Sequence, residues 1–431
     1  MNVTVMPGSI AGSVSAIPSK SHLHRLLMYA ALSDKETMLA CAETGADDIR
    51  ATADCLNALG AAVLRREDGF AVTPSSRQPQ KAGEALFLPC MESGSTLRFL
   101  LPVACALGLR CVFQMKGRLS QRPMAPLDAQ LERHGIRLWR EGPDTLCCEG
   151  RLQPGEYHLP GDISSQYITG LLMALPLLDS PSRLTVTQPI ESGPYIDMTL
   201  EAARAFGHTP AVTRTARDSR YDIQGTGVFT SPSRIAVEGD WSNAAFWLCA
   251  GAMPGGDIQV RGLEKDSTQG DKEVCGILAR MGAGVDWQAG TLAVKEGRRH
   301  GTEIDLGSAP DLGPVLAAVA AAGTGTTVVR NAARLRLKES DRLLAIARTL
   351  NALGASVTET GDGLEIHGRP ALAGGTVDAC GDHRIAMMAA VASAACAGPV
   401  TITGAQAVNK SYPAFWKDLA ALGKTVRVQE R

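Results

Sequence analysis

The sequence predicts an α/β protein of two similar globular domains, each built from three βαβαββ repeats. Three observations lead to this prediction: a helix ending in glycine recurs along the chain, a second and more apolar helix recurs with the same period, and strand-like segments alternate with both. With 431 residues, 45% of them hydrophobic and 20% charged, the chain can bury a large core in two or three domains.

The first recurring element is an amphipathic helix that ends at a glycine and is followed by two short strands, as in CLNALGAAVLRRED and TLNALGASVTET. Glycine suits this place because helices often end with one residue in the left-handed conformation, where a Cβ is penalised. The glycines, which mark six units of about 70 residues, are Gly60, Gly135, Gly207, Gly282, Gly354 and Gly423.

The second recurring element is a helix that is apolar nearly all round, and we expect it to be buried. Its six copies are KSHLHRLLMYAAL, GSTLRFLLPVACAL, SSQYITGLLMALPLL, SNAAFWLCAGAM, DLGPVLAAVAAAG and DHRIAMMAAVASAA. Each unit therefore reads strand, buried helix, strand, amphipathic helix and two strands. Six units divide into three plus three, and the segment 227–240, GVFTSPSRIAVEGD, is the expected seam. We predict domains over 19–236 and 237–431, with residues 1–18 assignable to either on these grounds.

Composition excludes several classes of function. A net charge of -1 provides no general field for nucleic acid or an anionic membrane. The N-terminal sequence lacks a basic region followed by an apolar one, and no apolar run spans a bilayer, so we expect a cytoplasmic protein.

The eleven scattered cysteines are interpreted as reduced thiols. His22 and His24 would lie on different faces of a helix, so we do not expect them to share a metal ion, and no metal site stands out elsewhere. GTGTTV and GKT do not fit nucleotide-binding loops.

The residues that indicate a chemical function lie at the starts of the predicted helices. Ser and Asp there are explained by capping, but Lys20 and Arg384 are not, because a cation at a helix N-terminus is disfavoured by roughly 0.3–1 kcal/mol unless an anion binds there. The segments that enter the amphipathic helices add Arg122, Lys338, Arg342 and Lys410. A single exposed cation is usually only solvated, but repetition at one structural position favours anion binding.

Eight motifs together resemble the enolpyruvyl transferases, and among them the branch that acts on shikimate 3-phosphate. They follow the order and spacing of that family over essentially the whole chain and read PSKSHLHR, SGSTLRF, QRPM, GDISSQYITGLLMALP, GPYID, LKESDR, GDHRIAM and NKSYPAFW. The resemblance implies two globules of three βαβαββ units with buried parallel helices, and an active site in the interdomain cleft. It also implies that residues 1–18 join the domain 237–431.

The resemblance further implies two substrates, no cofactor and no metal, and we expect a monomer. Shikimate 3-phosphate would be bound by Ser21, Arg25, Ser164, Ser165, Gln166, Ser192, Tyr195, Asp311 and Lys338. Phosphoenolpyruvate would be bound by Lys20, Gly94, Arg122, Gln166, Arg342, Arg384 and Lys410. Asp311 is the candidate base for the attacking hydroxyl, assisted by Lys20. Glu339 is the candidate for proton transfer at the methylene, and His383 for positioning that region.

Two positions depart from the pattern of some relatives: Glu92 and Arg334 each stand where those carry Asn, and this leaves the contacts there open.

The family implies glyphosate as a competitor of phosphoenolpyruvate. One alternative is the sister activity on UDP-N-acetylglucosamine, whose characteristic loop cysteine is absent from KGRLSQR (116–122). Another is a catalytically inactive scaffold, against which Lys20, Asp311 and Glu339 argue.

Overall fold

The computed structural model describes residues 1–42, 45–75 and 84–429 and divides the chain into two compact units. The terminal unit consists of Met1–Ser19, Thr44–Ala46 and Glu238–Arg431. The central unit consists of Lys20–Glu43 and Asp47–Val237. Helices and strands alternate in both, which confirms the predicted α/β class. In the described ranges, no helix combines the length and apolar character needed to cross a membrane.

Two kinds of helix alternate along the described chain, as the repeat predicts. Nearly every residue of α1, α3, α5, α7, α9 and α11 is buried, whereas the even-numbered helices bury one face. The helices are α1 Lys20–Ala31, α2 Asp47–Ala58, α3 Gly94–Ala106, α4 Leu127–Arg133, α5 Ser165–Ala174, α6 Gly193–Ala205, α7 Trp241–Ala252, α8 Val274–Arg280, α9 Gly313–Ala321, α10 Arg342–Ala352, α11 His383–Ala392 and α12 Phe415–Ala421. The even-numbered helices end where the sequence predicts, since the six glycines that follow them have φ between 76° and 94°.

Within the described residues the strands form six four-stranded sheets, three in each unit. They are β1 Asn2–Val5, β2 Ala11–Ser15, β3 Thr37–Ala40, β4 Ala62–Arg66, β5 Gly69–Thr73, β6 Leu86–Met91, β7 Cys111–Met115, β8 Ile136–Gly142, β9 Thr145–Gly150, β10 Glu156–Pro160, β11 Ser182–Thr187, β12 Ala211–Arg214, β13 Asp218–Ile223, β14 Arg234–Ala236, β15 Asp257–Arg261, β16 Gly284–Gln288, β17 Thr291–Lys295, β18 Glu303–Asp305, β19 Thr326–Arg330, β20 Ser356–Glu359, β21 Leu364–His367, β22 Gly375–Asp378, β23 Val400–Thr403 and β24 Val426–Gln429. The sheet orders are β14-β3-β5-β4, β6-β7-β9-β8, β10-β11-β13-β12, β16-β17-β15-β2, β18-β19-β21-β20 and β22-β23-β1-β24.

Three strands pair far from their neighbours in sequence. Strand β2 precedes α1 but pairs in parallel with β15 of the terminal unit, while β14 precedes α7 but pairs in parallel with β3 of the central unit. Strand β1 lies antiparallel between β23 and β24. Each exchanged strand takes a place that the repeat requires, so all six sheets have the same four positions.

The buried helices form the core of each unit. In the terminal unit α7, α9 and α11 pack on one another, and in the central unit α3 packs on α5. Close approach of α3 and α5 depends on Gly170, where a Cβ would collide with the backbone carbonyl of Arg98. This packing brings the N-terminal turns of α3 and α5 together, and both carry predicted site residues.

Candidate active site

The predicted site residues divide between the two units. The central unit holds Lys20, Ser21, Arg25, Gly94, Arg122, Ser164, Ser165, Gln166, Ser192 and Tyr195. The terminal unit holds Asp311, Lys338, Glu339, Arg342, His383, Arg384 and Lys410. Except for Arg25, in the second turn of α1, these residues lie in the first turn of a helix or in the segment that leads into one.

Arg342, the first residue of α10, organises the terminal cluster. Its side chain is 1% exposed and donates from Nη1 to Asp311 at 2.7 Å, from Nη2 to Glu339 at 2.6 Å and from Nε to Asp382 at 2.8 Å. A second bond runs from Nη2 to the other Asp382 oxygen at 3.3 Å. Four of its five N–H groups are thus committed to carboxylates. The burial of this cation is compensated by three anions.

Asp311 lies in the short 3₁₀ turn Pro310–Leu312 before α9 and accepts from cations on three segments. Oδ1 is 3.4 Å from Lys338 Nζ and Oδ2 is 3.2 Å from Arg384 Nη2, in addition to the bond from Arg342. Burial alone would raise the pKa of Asp311, but the charges of Arg384, Lys338 and Arg342 outweigh it and hold that pKa well below its ordinary value. The carboxyl is therefore ionised at neutral pH.

Glu339 and Asp382 complete the terminal cluster. Glu339 Oε1 lies 3.8 Å from Lys410 Nζ. Asp382 is fully buried, caps α11 by accepting from Arg384 N at 3.0 Å, and lies 3.8 Å from His383 Nδ1. With Lys338, Arg342, Arg384 and Lys410 the cluster holds four cations against three carboxylates. The unliganded cluster is close to electrically balanced.

Lys20 begins α1 in the central unit, and its ammonium group is held by Asp48 at 2.6 Å. Asp48 lies in the first turn of α2, where a carboxylate is favoured by the helix dipole. The network continues to α3, because Thr52 Oγ1 lies 2.8 Å from His24 Nδ1 and 2.7 Å from Thr96 Oγ1. Lys20 thus has its charge compensated and its position fixed.

His24 is buried next to this network. Its burial lowers its pKa to about 3, and the positive charges of Lys20 and Arg25 act in the same direction against the attraction of Asp48. His24 is therefore neutral at physiological pH, and it connects α1 to Thr52 by a hydrogen bond.

Gly94, the first residue of α3, lies between two guanidinium groups. A Cβ built at Gly94 would be 2.8 Å from Arg98 Nη1 and 2.9 Å from Arg122 Nη1. In the described part of the chain the Arg122 guanidinium has no hydrogen-bond or ion-pair partner, and its Nε is buried. A bare guanidinium beside a glycine at a helix N-terminus is an arrangement that can bind a carboxylate or phosphate.

The remaining predicted residues of the central unit surround Arg25. The buried Arg25 guanidinium donates to Thr199 at 2.8 Å and to the carbonyls of Ser21 at 2.6 Å and Tyr195 at 2.9 Å. Its burial lowers the pKa of Arg25 to about 10, which leaves it charged at neutral pH. Ser164 caps α5, Ser165 begins it, and Ser192 precedes α6 in the left-handed conformation with φ of 54°.

The structure also places the two residues that depart from the family pattern. The Glu92 carboxylate lies against Gly117, in the segment that leads to Arg122. Arg334 donates from Nη2 to the carbonyl of Gly307 at 3.1 Å. Both side chains therefore have contacts within their own unit.

Three charged side chains of these clusters were absent from the predicted site: Asp48, Arg98 and Asp382. All three are buried and bind predicted site residues directly. Asp382 and Arg98 stand inside the motifs GDHRIAM and SGSTLRF, so their proximity was available from the sequence; Asp48 is distant from Lys20 along the chain. In residues 1–42, 45–75 and 84–429, no three or more His, Cys, Asp or Glu side chains are grouped to hold a metal ion.

Comparison with known proteins identifies the family of this chain. The family model described as EPSP synthase (3-phosphoshikimate 1-carboxyvinyltransferase) matches residues 5–419. The 3-phosphoshikimate 1-carboxyvinyltransferase of Clostridium kluyveri is 39% identical over 422 residues, which cover 98% of this chain and 97% of the relative. That of Clostridium perfringens strain 13 is 40% identical over 427 residues, with 99% of each covered.

Solved structures show the same fold. The EPSP synthase of Acinetobacter baumannii superposes with a TM-score of 0.79 at 26% identity and full coverage of both chains. The enolpyruvyl transferase NikO of Streptomyces tendae has a TM-score of 0.78 at 18% identity over 99% of this chain and 98% of its own, a likeness of fold alone. The predicted family resemblance is thereby confirmed.

Proposed function

Because the chain belongs to the EPSP synthase (3-phosphoshikimate 1-carboxyvinyltransferase) family, we propose that it transfers the enolpyruvyl group of phosphoenolpyruvate to the 5-hydroxyl of shikimate 3-phosphate. The observation that supports the proposal best is the Arg122 guanidinium, which lies beside Gly94 at the start of α3 without a partner among the described residues. A partly buried guanidinium group that has no protein partner is suited to bind an anionic substrate.

The reaction proceeds by addition and elimination. The hydroxyl oxygen attacks C2 of phosphoenolpyruvate while C3 takes up a proton, and a tetrahedral intermediate results. The C2–O bond to phosphate then breaks, C3 loses a proton, and the enol ether and inorganic phosphate are released. A base for the hydroxyl and an acid for the methylene are required. Fixed cations near the phosphate and carboxylate stabilise the charge that develops.

We propose the residue roles that the resemblance implies. Shikimate 3-phosphate contacts Ser21, Arg25, Ser164, Ser165, Gln166, Ser192, Tyr195, Asp311 and Lys338. Phosphoenolpyruvate contacts Lys20, Gly94, Arg122, Gln166, Arg342, Arg384 and Lys410. Asp311 and Lys20 serve the hydroxyl, Glu339 serves the methylene, and His383 positions that region.

The pKa of Asp311 bears on its proposed role. Three cations hold that pKa well below the ordinary range, which makes the unliganded carboxylate a weak base. An anion bound to Arg342, Arg384 or Lys338 would offset part of their charge and raise the pKa of Asp311. Base strength would therefore increase when phosphoenolpyruvate is bound, and this couples proton removal to the presence of both substrates.

A phosphate-release assay tests the activity. Wild-type protein is incubated with phosphoenolpyruvate and either shikimate 3-phosphate or UDP-N-acetylglucosamine. Release that needs shikimate 3-phosphate supports the proposal; release only with the nucleotide sugar would assign the sister activity, and no release with either would indicate an inactive scaffold.

Substitution then tests the roles. We expect Asp311→Ala and Glu339→Gln each to lower kcat by ~10²-fold or more, as general acid–base groups do. Glu303→Gln, with a side chain 65% exposed in the same unit, is the matched control. If Asp311→Ala and Glu339→Gln turn over as fast as the control, the assigned roles are wrong even though the family is right.

We further propose that the protein works as a monomer in the cytoplasm. Light scattering of the purified protein and fractionation of the source cells test the two parts separately.

A further inference from the structure

Arg98 lies one helical turn after Gly94 on α3, and it is 3% exposed. Its guanidinium joins two other segments to this helix. Nη1 donates to Gln166 Oε1 on α5 at 2.8 Å, and Nη2 donates to the carbonyl of Pro123 at 3.3 Å. The guanidinium carbon lies 5.6 Å from the centre of the Tyr167 ring, and the Tyr167 hydroxyl donates to the same Pro123 carbonyl. Arg98 is held from several sides.

The bond to Gln166 determines which way the amide of Gln166 faces. An arginine has only donors, so the amide must turn its oxygen toward Arg98 and its NH₂ group away. In that orientation Nε2 donates to Ser95 Oγ at 3.0 Å, in the first turn of α3. The group that Gln166 presents to the start of α3 is thus a donor. Without Arg98 the amide could turn over and present its oxygen, which repels an anion.

The hydrogen bond from Arg98 to the Pro123 carbonyl fixes the backbone next to Arg122. Pro123 follows Arg122 in the chain, and Arg98 and Tyr167 both bind its carbonyl. The backbone beside Arg122 is therefore anchored to α3 and α5. The guanidinium groups of Arg98 and Arg122 both lie against Gly94.

We infer that Arg98 is a positioning residue for the phosphoenolpyruvate site: it locks the Gln166 amide with its NH₂ group toward the start of α3 and anchors the segment that carries Arg122. This inference rests on the proposed function. It assigns Arg98 no contact with substrate; it acts through Gln166 and, second, through the backbone next to Arg122.

The test compares Arg98→Met and Arg98→Lys with wild type in the phosphate-release assay, with the two substrates varied separately. A hydrogen bond from a charged donor is lost, so we expect Arg98→Met to raise the KM for phosphoenolpyruvate about 10- to 100-fold. Because Gln166 is also assigned to shikimate 3-phosphate, the KM for that substrate should rise as well, but less than the KM for phosphoenolpyruvate, while kcat should stay within about 3-fold, the pattern of lost ground-state binding. Arg98→Lys, which keeps the charge, should recover part of the loss. Arg110→Met, after the far end of α3 and 42% exposed, is the control and should change neither KM.

A double-mutant cycle separates positioning from general support of the fold. If Arg98 acts mainly through Gln166, then Arg98→Met should raise the KM for phosphoenolpyruvate less in a Gln166→Ala background than in wild type, and the rise that remains measures the second route through the backbone next to Arg122. Gln166→Glu provides a variant that keeps the bond to Arg98 and should fold well, yet it places an acceptor where the NH₂ group was. We expect it to raise the KM for phosphoenolpyruvate without lowering the melting temperature.

The outcomes are distinct. No turnover by the wild type refutes the proposed function itself. With an active wild type, the inference on Arg98 is overturned by additive effects in the cycle, by equal changes in both KM values, or by a Gln166→Glu variant with unchanged affinity for phosphoenolpyruvate. A greater rise in that KM than in the KM for shikimate 3-phosphate, partial recovery in Arg98→Lys and non-additivity support it.

Discussion

Replacement of Asp382 by Ala should destabilise the terminal unit more than any surface ion pair does. The carboxylate is fully buried, receives two bonds from Arg342 at 2.8 and 3.3 Å and one from Ser340 at 3.0 Å, and caps α11. Breaking a buried ion pair costs about 3–5 kcal/mol, and losing a helix cap adds about 1 kcal/mol. Arg342 keeps Asp311 and Glu339 as partners, so we expect a total near the lower figures, about 3–4 kcal/mol.

Urea unfolding followed by tryptophan emission measures this loss. Of the five tryptophans, all but Trp139 lie in the terminal unit, so the signal is weighted toward the part that Asp382 stabilises. Glu303→Ala is the matched control, because Glu303 pairs with Arg330 at 3.2 Å with both side chains more than half exposed, and such pairs contribute at most about 1 kcal/mol. Asp382→Asn retains a cap acceptor and should fall between the two variants. Equal losses of the free energy of unfolding in Asp382→Ala and Glu303→Ala would contradict the stabilising role of the buried carboxylate.

Three further predictions follow from the central unit. Asp48→Ala removes the carboxylate that holds Lys20 and should lower kcat/KM by about 10- to 100-fold, whereas its neighbour Asp47→Ala, from an exposed pair, should leave turnover unchanged in the same assay. Burial lowers the pKa of His24 from 6.5 to about 3, so between pH 6.5 and pH 3 the unfolded chain binds a proton that the folded protein excludes, and stability falls as the pH decreases. In urea unfolding at pH 7 and pH 4.5, His24→Gln should therefore lose less stability than wild type. Equal losses would contradict the lowered pKa of His24. Gly94→Ala places a Cβ 2.8 and 2.9 Å from two guanidinium nitrogens and should raise the KM for phosphoenolpyruvate about 10-fold, with no change in that KM as the contrary result.

The repeat was predictable because its signals are local. Apolar helix faces and the glycines at 60, 135, 207, 282, 354 and 423 depend on neighbours a few residues away, and the structure has them where the sequence indicates. The exchange of β2 and β14 was not predictable in this way. Each strand lies just before a buried helix as the repeat requires, but its pairing partner is some 200 residues away and leaves no local trace.

The same distinction between local and distant signals applies to the residues of the candidate site. Lys20 and Arg384 were predicted because a cation at a helix start conflicts with the helix dipole, and that conflict can be read from the sequence. Arg98 stands inside the motif SGSTLRF, but the sequence does not show which neighbour an arginine within an apolar helix faces. Its role appears only when Gln166 and Pro123 are seen at 2.8 and 3.3 Å from its guanidinium. Asp48 is similar, as its partner Lys20 belongs to another helix.

The location of β1 sets an order for events on the ribosome. Among the described strands β1 is translated before all others, yet its partners, Val400–Thr403 and Val426–Gln429, are translated after all others. At about 5–20 residues per second, the nascent N-terminus waits roughly 20–80 s before its sheet can close. Residues 20–237 have by then left the exit tunnel, while β1 still has two unpaired edges. A ribosome pause before β23 and β24 are translated would therefore prolong the time that β1 stays unpaired.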